Sequence, residues 1–244
     1  MDVIFNADDF GLTRGVNLGI VEAHQLGVVN STTLMVGMPH VPHACELALQ
    51  NPKLKIGVHL TLTAGKPFTD WPEVTDAQGY FLPLPAYDNT ALDEHKIGDE
   101  LVAQIERARF LGLSLSHLDS HHHAHMSPAV AAVARSVAQQ YDLPLRGNGN
   151  KGWIAKDCRY VFSDRFYGEA LSLATLEAEI IKYRSQCDVI EFMCHPALID
   201  KPLQQVSSYC LPRTEELSIL TSPALQALLD KYQCRATDYT QLRA

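Results

Sequence analysis

Clustered cation is scarce in this chain. Asp and Glu outnumber Lys and Arg by 28 to 20, and the net charge is −8. A nucleic-acid groove needs clustered Lys and Arg, so that class is set aside. No apolar run approaches the roughly 20 residues of a membrane span. The N-terminus shows no basic stretch and no cleavage pattern, so no export signal is expected. The six cysteines, Cys45, Cys158, Cys187, Cys194, Cys210 and Cys234, form no CxxC pair. Scattered thiols of this kind stay reduced and are often buried. The expectation is a cytoplasmic protein without disulfides. Repeats and low-complexity linkers are missing too. At 244 residues and 46% hydrophobic content, the chain is long enough for one large domain with a buried core.

What is abundant is alternation of strand and helix signals. Val3–Ala7 is short and β-prone. Thr13 is placed to cap a helix carrying Val16, Ile20 and Ala23, with Gly27 as its stop. Strands are expected at 28–36, 56–62, 115–119, 143–146 and 189–193, and residues 235–239 are expected to close the sheet. Helices are expected over 43–50, at Ile97, Leu101, Ile105 and Ala108, after Ser127-Pro128, at Leu176, Ile180 and Tyr183, and after Ser222-Pro223. About seven β/α units follow. A parallel (β/α) barrel is the natural architecture, with an open doubly wound sheet as the alternative. Two long connections, 63–90 and 147–171, hold Trp71, Tyr80, Phe81, Tyr87, Trp153, Tyr160, Phe162, Phe166 and Tyr167. A few aromatic faces at a cleft would suit sugar rings; most are expected to be loop packing.

Carboxylates and imidazoles then concentrate at strand ends. Asp8 and Asp9 follow the first strand and His59 sits in the third. His121–His125 follow the next, Arg146 ends the one after, and His195 follows Met193. In a parallel α/β fold this is the face where active sites assemble. Asp and His are ligands for a hydrolytic divalent ion. Singly, each has a plainer reading: Asp8-Asp9 as a helix cap, His59 as a core histidine, the histidine run as a surface loop. Adjacent strand residues point to opposite faces, so Asp8 and Asp9 share a site only if the backbone turns there; Gly11 suggests such a turn. Cys194 beside His195 is a poor nucleophile pairing, since adjacent residues rarely face each other.

The motifs NADDFG (6–11), STT (31–33), GVHLTLTAGKP (57–67), HLDSHHHAHM (117–126), FYGE (166–169), EFMCHPALID (191–200) and YCLPRTEEL (209–217) together resemble the YdjC-like carbohydrate deacetylases, in particular the chitooligosaccharide deacetylase subgroup. The resemblance implies a distorted seven-stranded parallel (β/α) barrel in a single domain. It implies removal of acetyl from short N-acetylglucosamine oligosaccharides. It also implies a divalent ion, Mg2+ or else Zn2+, held by Asp9, His59 and His121, with Asp8 as general base and His195 as acid. His125, Arg146 and Lys66 are the candidate substrate contacts, the last two as anchors for a phosphorylated sugar. The expected partner is a small oligosaccharide, with no nucleic acid or membrane, and the expected assembly a homodimer. A glycoside hydrolase using Asp119 with Asp8 or Asp9 is the rival, and it leaves the histidines unexplained.

Overall fold

Side chains along the first strand, β1 (Asp2–Phe10), alternate between two surroundings. Val3, Phe5 and Ala7 join the main apolar core. Ile4 belongs to a smaller cluster with Val189, Tyr239 and Leu242. By the two-residue period of a strand, Asn6 and Asp8 share the Ile4 face. One face of β1 therefore meets helices, and the other lines a barrel interior that turns polar toward the strand's C-terminal end.

The computed structural model describes residues 1–83 and 92–243; Tyr87 and the end of the first long connection lie outside them. After β1 come α1 (Arg14–Leu26), β2 (Ser31–Leu34), α2 (Val41–Gln50), β3 (Lys55–Leu60), α3 (Glu94–Phe110), β4 (Leu115–Ser120) and α4 (Ala131–Gln140). Then follow β5 (Tyr160–Ser163), α5 (Leu173–Tyr183), β6 (Val189–Cys194), α6 (Lys201–Val206), α7 (Leu211–Leu220), α8 (Pro223–Lys231) and β7 (Arg235–Thr237). All named strand pairs are parallel, in the order β4-β3-β2-β1-β6-β5, with β7 also on β1. The fold is a parallel-strand, incomplete barrel wrapped by helices, in one domain. No helix of the described residues is long and apolar enough to cross a membrane.

Two strand expectations are corrected. Residues 143–146 are not a strand: only Leu145 bridges to Leu118 of β4, and it turns its other bonds to Trp153. The seventh strand is β5, inside the connection expected to be a loop. At four residues, flanked by Arg159 and Asp164, it is too short to show a period. Nor does β7 close the sheet. It pairs with Asp2–Ile4, while β2 pairs with Asn6–Phe10. The two outer edges are instead joined by a side chain. Asn148 donates to the Phe162 carbonyl (2.9 Å) and accepts from its amide (2.8 Å), doing the work of a missing strand bond.

Thr13 caps α1, accepting from the Val16 amide at 3.2 Å. Glycine then permits close packing. A Cβ on Gly19 would lie 2.4 Å from Ala197 Cα, so α1 sits directly on the backbone that follows β6 and carries His195. We expect Gly19→Ala to lose about 1–3 kcal/mol by overpacking. Gly98→Ala, where a Cβ meets only Val133 Cγ1 at 3.6 Å, should gain up to about 1 kcal/mol from helix propensity. Urea unfolding of both variants measures the contrast.

Candidate active site

The bend that the Asp8-Asp9 pair needs is made by Asp9 itself. Its φ is +72°, in the left-handed region, and Gly11 follows at +92°. The β1–β2 register shifts between Ala7 and Phe10 at the same point. A non-glycine residue held there carries strain of order 1–3 kcal/mol, the kind that collects at functional sites. The bend turns both carboxylates toward one cavity of about 1130 Å³, lined also by His59, His121, His122, His123, His195, Lys66, Tyr80, Tyr167, Tyr209 and Arg213.

Asp9, His59 and His121 converge. Asp9 Oδ1 lies 3.4 Å from His59 Nε2 and 3.1 Å from His121 Nδ1. Ligand atoms about 2 Å from one ion and roughly at right angles stand about 3 Å apart, so this set fits a small divalent cation. His59 Nδ1 bonds Asp119 Oδ1 at 2.7 Å, which leaves Nε2 facing the site. Burial alone would lower the His59 pKa, but Asp119 overrides it and pushes it up to about 10. The second acidic group, Asp8, His59 and Asp119, already has a cation: Arg146 pairs with both carboxylates.

Arg146 is fully buried and makes three ion pairs. Two nitrogens grip Asp8 at 2.7 Å each, Nη2 reaches Asp119 at 3.0 Å, and Nε reaches Glu191 at 2.8 Å. Its expected role as a substrate anchor is therefore corrected: it has no surface to offer. It holds Asp8. Burial would raise the Asp8 carboxyl, but this guanidinium keeps it well below the ordinary carboxylate range. Asp9 is likewise held low, against burial, by Arg213 and the two histidines.

His125 is corrected on the same ground. It is buried, and its Nε2 donates to the Arg146 carbonyl at 2.9 Å while Nδ1 meets the Ser120 hydroxyl. It props Arg146 and stays neutral. Lys66 does line the cavity, its ammonium 4.6 Å from the Tyr80 ring centre. Asp119 faces inward, fully buried between His59 and Arg146, so the glycosidase pair is not formed. Cys194 is buried with its thiol on the Asn6 carbonyl, and burial pushes its pKa well up. The aromatic loops divide as expected: Trp71, Phe81 and Phe166 are core, while Tyr80 and Tyr167 border the cavity.

His195 Nε2 stands 3.9 Å from Asp8 Oδ2, too long for a hydrogen bond. Its other nitrogen lies 3.6 Å from Glu216 Oε1, and its backbone amide donates to Glu216 Oε2. Glu216 also accepts from Tyr209 Oη at 2.6 Å. Arg213 donates to Asp9 Oδ2 at 2.7 Å. Tyr209, Arg213 and Glu216 carry no role in the sequence reading, although they lie within the 209–217 motif. The spacing of Arg213 and Glu216 was the available signal, since residues three apart share one face of α7, which Tyr209 shortly precedes.

Comparison with known proteins places the fold first. A family 4 carbohydrate esterase from Streptomyces lividans superposes with a TM-score of 0.51 at 13% identity, covering 100% of this chain and 96% of that one. The fold is thus that of the barrel-shaped carbohydrate esterases. The YdjC-like protein family matches residues 2–231, and the chain belongs to that family. A carbohydrate deacetylase of Vibrio campbellii is 50% identical over 243 residues, 99% of this chain and 96% of the relative. A protein of Enterococcus faecalis named for cellobiose-phosphate cleavage superposes at a TM-score of 0.91 with 34% identity, covering 100% and 99% of the two chains.

Burial pushes His125 down to about 3 and His123 down to about 4. Such histidines are neutral when folded and protonate on unfolding. Their contribution is complete above about pH 6.5 and is lost as pH falls toward 4 and 3. Stability should therefore fall steadily from pH 6.5 to 4, and His125→Gln should flatten that slope in urea titrations across this range.

Proposed function

We propose that this chain is a metal-dependent carbohydrate deacetylase that removes one N-acetyl group from short β-1,4-linked N-acetylglucosamine oligosaccharides: diacetylchitobiose, its 6-phosphate and triacetylchitotriose. The coarser activity, hydrolytic deacetylation of a carbohydrate, rests on the family and on the name its relatives carry. The observation that carries the reading is geometric. A carboxylate held ionised, Asp8, and an imidazole, His195, face each other across 3.9 Å beside a three-ligand cation site.

Asp9, His59 and His121 would hold the divalent ion, Mg2+ or Zn2+. When bound, such an ion polarises an amide carbonyl and lowers the pKa of water. Asp8 accepts the proton of the attacking water; its carboxylate keeps free lone pairs despite the Arg146 contacts. His195 Nε2 gives a proton to the nitrogen as the C–N bond breaks. Glu216 holds the backbone that carries this ring, Oε2 accepting from the His195 amide, while its Oε1 stands 3.6 Å from Nδ1. The products are acetate and a free amine on the sugar.

The size of the cavity suits a short sugar rather than a polymer, and a cytoplasmic enzyme would meet such sugars after uptake. The enterococcal relative is named for a phosphorylated disaccharide. Lys66 is the remaining anchor for a phosphate, since Arg146 is enclosed.

Chelation should abolish acetate release, and a divalent ion should restore it. His59→Ala and His121→Ala should lose both metal and activity while staying folded. Asp8→Asn should keep the metal and lose roughly 10²–10⁴ in rate. Mass spectrometry of diacetylchitobiose, its 6-phosphate and the trimer reads the result, each acetyl removed lowering the mass by ~42 Da through the metal-assisted hydrolysis. Full activity in verified metal-free protein, or shortened sugars in place of deacetylated ones, would sink the reading.

A further inference from the structure

Tyr167 borders the cavity with 43% of its surface open. That is unusual beside the enclosed polar groups around it. One face of its ring is already used: it stacks on Tyr209 with centroids 4.2 Å apart and planes 11° from parallel. The ring also meets His195 edge-on, at 5.5 Å and 67°. Among the described residues its hydroxyl has no hydrogen-bond partner, so no polar bond explains where it sits.

The support under this ring is rigid. Tyr209 Oη donates to Glu216 at 2.6 Å and accepts from the Gly168 amide at 3.2 Å. Glu216 is fully buried and also receives the His195 amide. Tyr167, Tyr209, Glu216 and His195 are thus one connected unit. The link to His195 runs through its backbone amide, so the imidazole keeps its place when the Tyr167 ring is removed.

The direction of the reaction decides what lies over Tyr167. The acyl carbon belongs near Asp8 and the Asp9–His59–His121 cluster. The nitrogen belongs at His195. The carbon bearing that nitrogen must then continue beyond His195, where the rings of Tyr167 and Tyr209 both meet the imidazole edge-on, at 5.5 and 5.7 Å, and Tyr167 is the more exposed of the two. We infer that the exposed face of Tyr167, backed by Tyr209, is the seat of the sugar ring that carries the scissile acetamide.

A pyranose chair presents a face of C–H groups that an aromatic ring desolvates and attracts. An acyl nitrogen on a flexible chain, as in acetyl-lysine, brings no such face to this position. The platform therefore selects a cyclic amino sugar over an open-chain amide. On this assignment the ring, not the hydroxyl, makes the contact. This inference rests on the deacetylase reading and adds the orientation of its substrate.

Tyr167→Phe, Tyr167→Leu and Tyr167→Ala test it in the metal-loaded protein. The expected split is kinetic. Tyr167→Phe should match wild type. Tyr167→Ala and Tyr167→Leu should raise KM for diacetylchitobiose by about two- to tenfold with kcat nearly kept, the signature of lost uniform binding. Calorimetry with the mono-deacetylated disaccharide should show the same fold loss in affinity. Unchanged KM and product affinity in the Ala and Leu variants overturn the assignment. So does a Phe variant as impaired as Ala, which would make the hydroxyl the contact. A fall in kcat alone would mean that Tyr167 merely props His195, and this also overturns it. If wild-type protein releases no acetate from any sugar, the deacetylase reading falls by itself. The calorimetric comparison of wild type with Tyr167→Ala still decides whether Tyr167 seats a sugar.

Discussion

One buried guanidinium organises the interior of this barrel. Arg146 has no exposed surface and faces carboxylates from three strands: Asp8 on β1, Asp119 on β4 and Glu191 on β6. Charges taken out of water are costly unless fully partnered, and removing one partner of a buried pair costs about 3–5 kcal/mol. Each strand is therefore tied to the others through a single side chain. Tyr160 and Tyr239 complete the shell by donating to Glu191, and His125 holds the Arg146 carbonyl. The same cluster fixes the chemistry. It keeps Asp8 ionised, and through Asp119 it sets which nitrogen of His59 faces the cavity.

Above that layer the backbone is bent rather than extended. Asp9, His122 and His123 all have left-handed φ values, of 72°, 53° and 54°. These non-glycine residues sit where strand gives way to loop. The bend at Asp9 lets neighbouring carboxylates serve different partners, Arg146 for Asp8 and the histidines for Asp9. The pair at His122 and His123 curls the histidine run back on itself. His121 thereby reaches Asp9, His122 meets Thr63, and His125 is tucked below. One run of sequence thus supplies a candidate ligand, a rim residue and a buried prop.

The first turns of α7 and the residues just before them complete the wall. Tyr209, Arg213 and Glu216 reach the Tyr167 ring, Asp9 and His195 respectively. One short stretch thus backs the Tyr167 ring, holds Asp9 Oδ2 and binds the His195 backbone amide. Gly15 and Gly19 matter to the same end. They let α1 press on residues 197–200, so the segment behind His195 has a fixed backing.

By itself, the sequence determined the fold class, the strand-end placement of Asp8, Asp9, His59, His121 and His195, and the family. Those rest on local periodicity and on motifs, both carried by near neighbours in the chain. Its 3.6-residue pattern found α1 and α3, and its caps found the start of α8 at Ser222. Tertiary structure alone decided the rest. Arg146 and His125 looked like substrate contacts because charge at a strand end is ordinarily exposed, and only the barrel encloses them. β5 was hidden because four residues have no measurable period. The seam at Asn148 and Phe162 was hidden because a side chain stands in for a strand. Arg213 and Glu216 stand 204 and 21 residues from the groups they touch. Contacts at such separations are fixed by the packing of α7 against the barrel mouth, which no local pattern encodes.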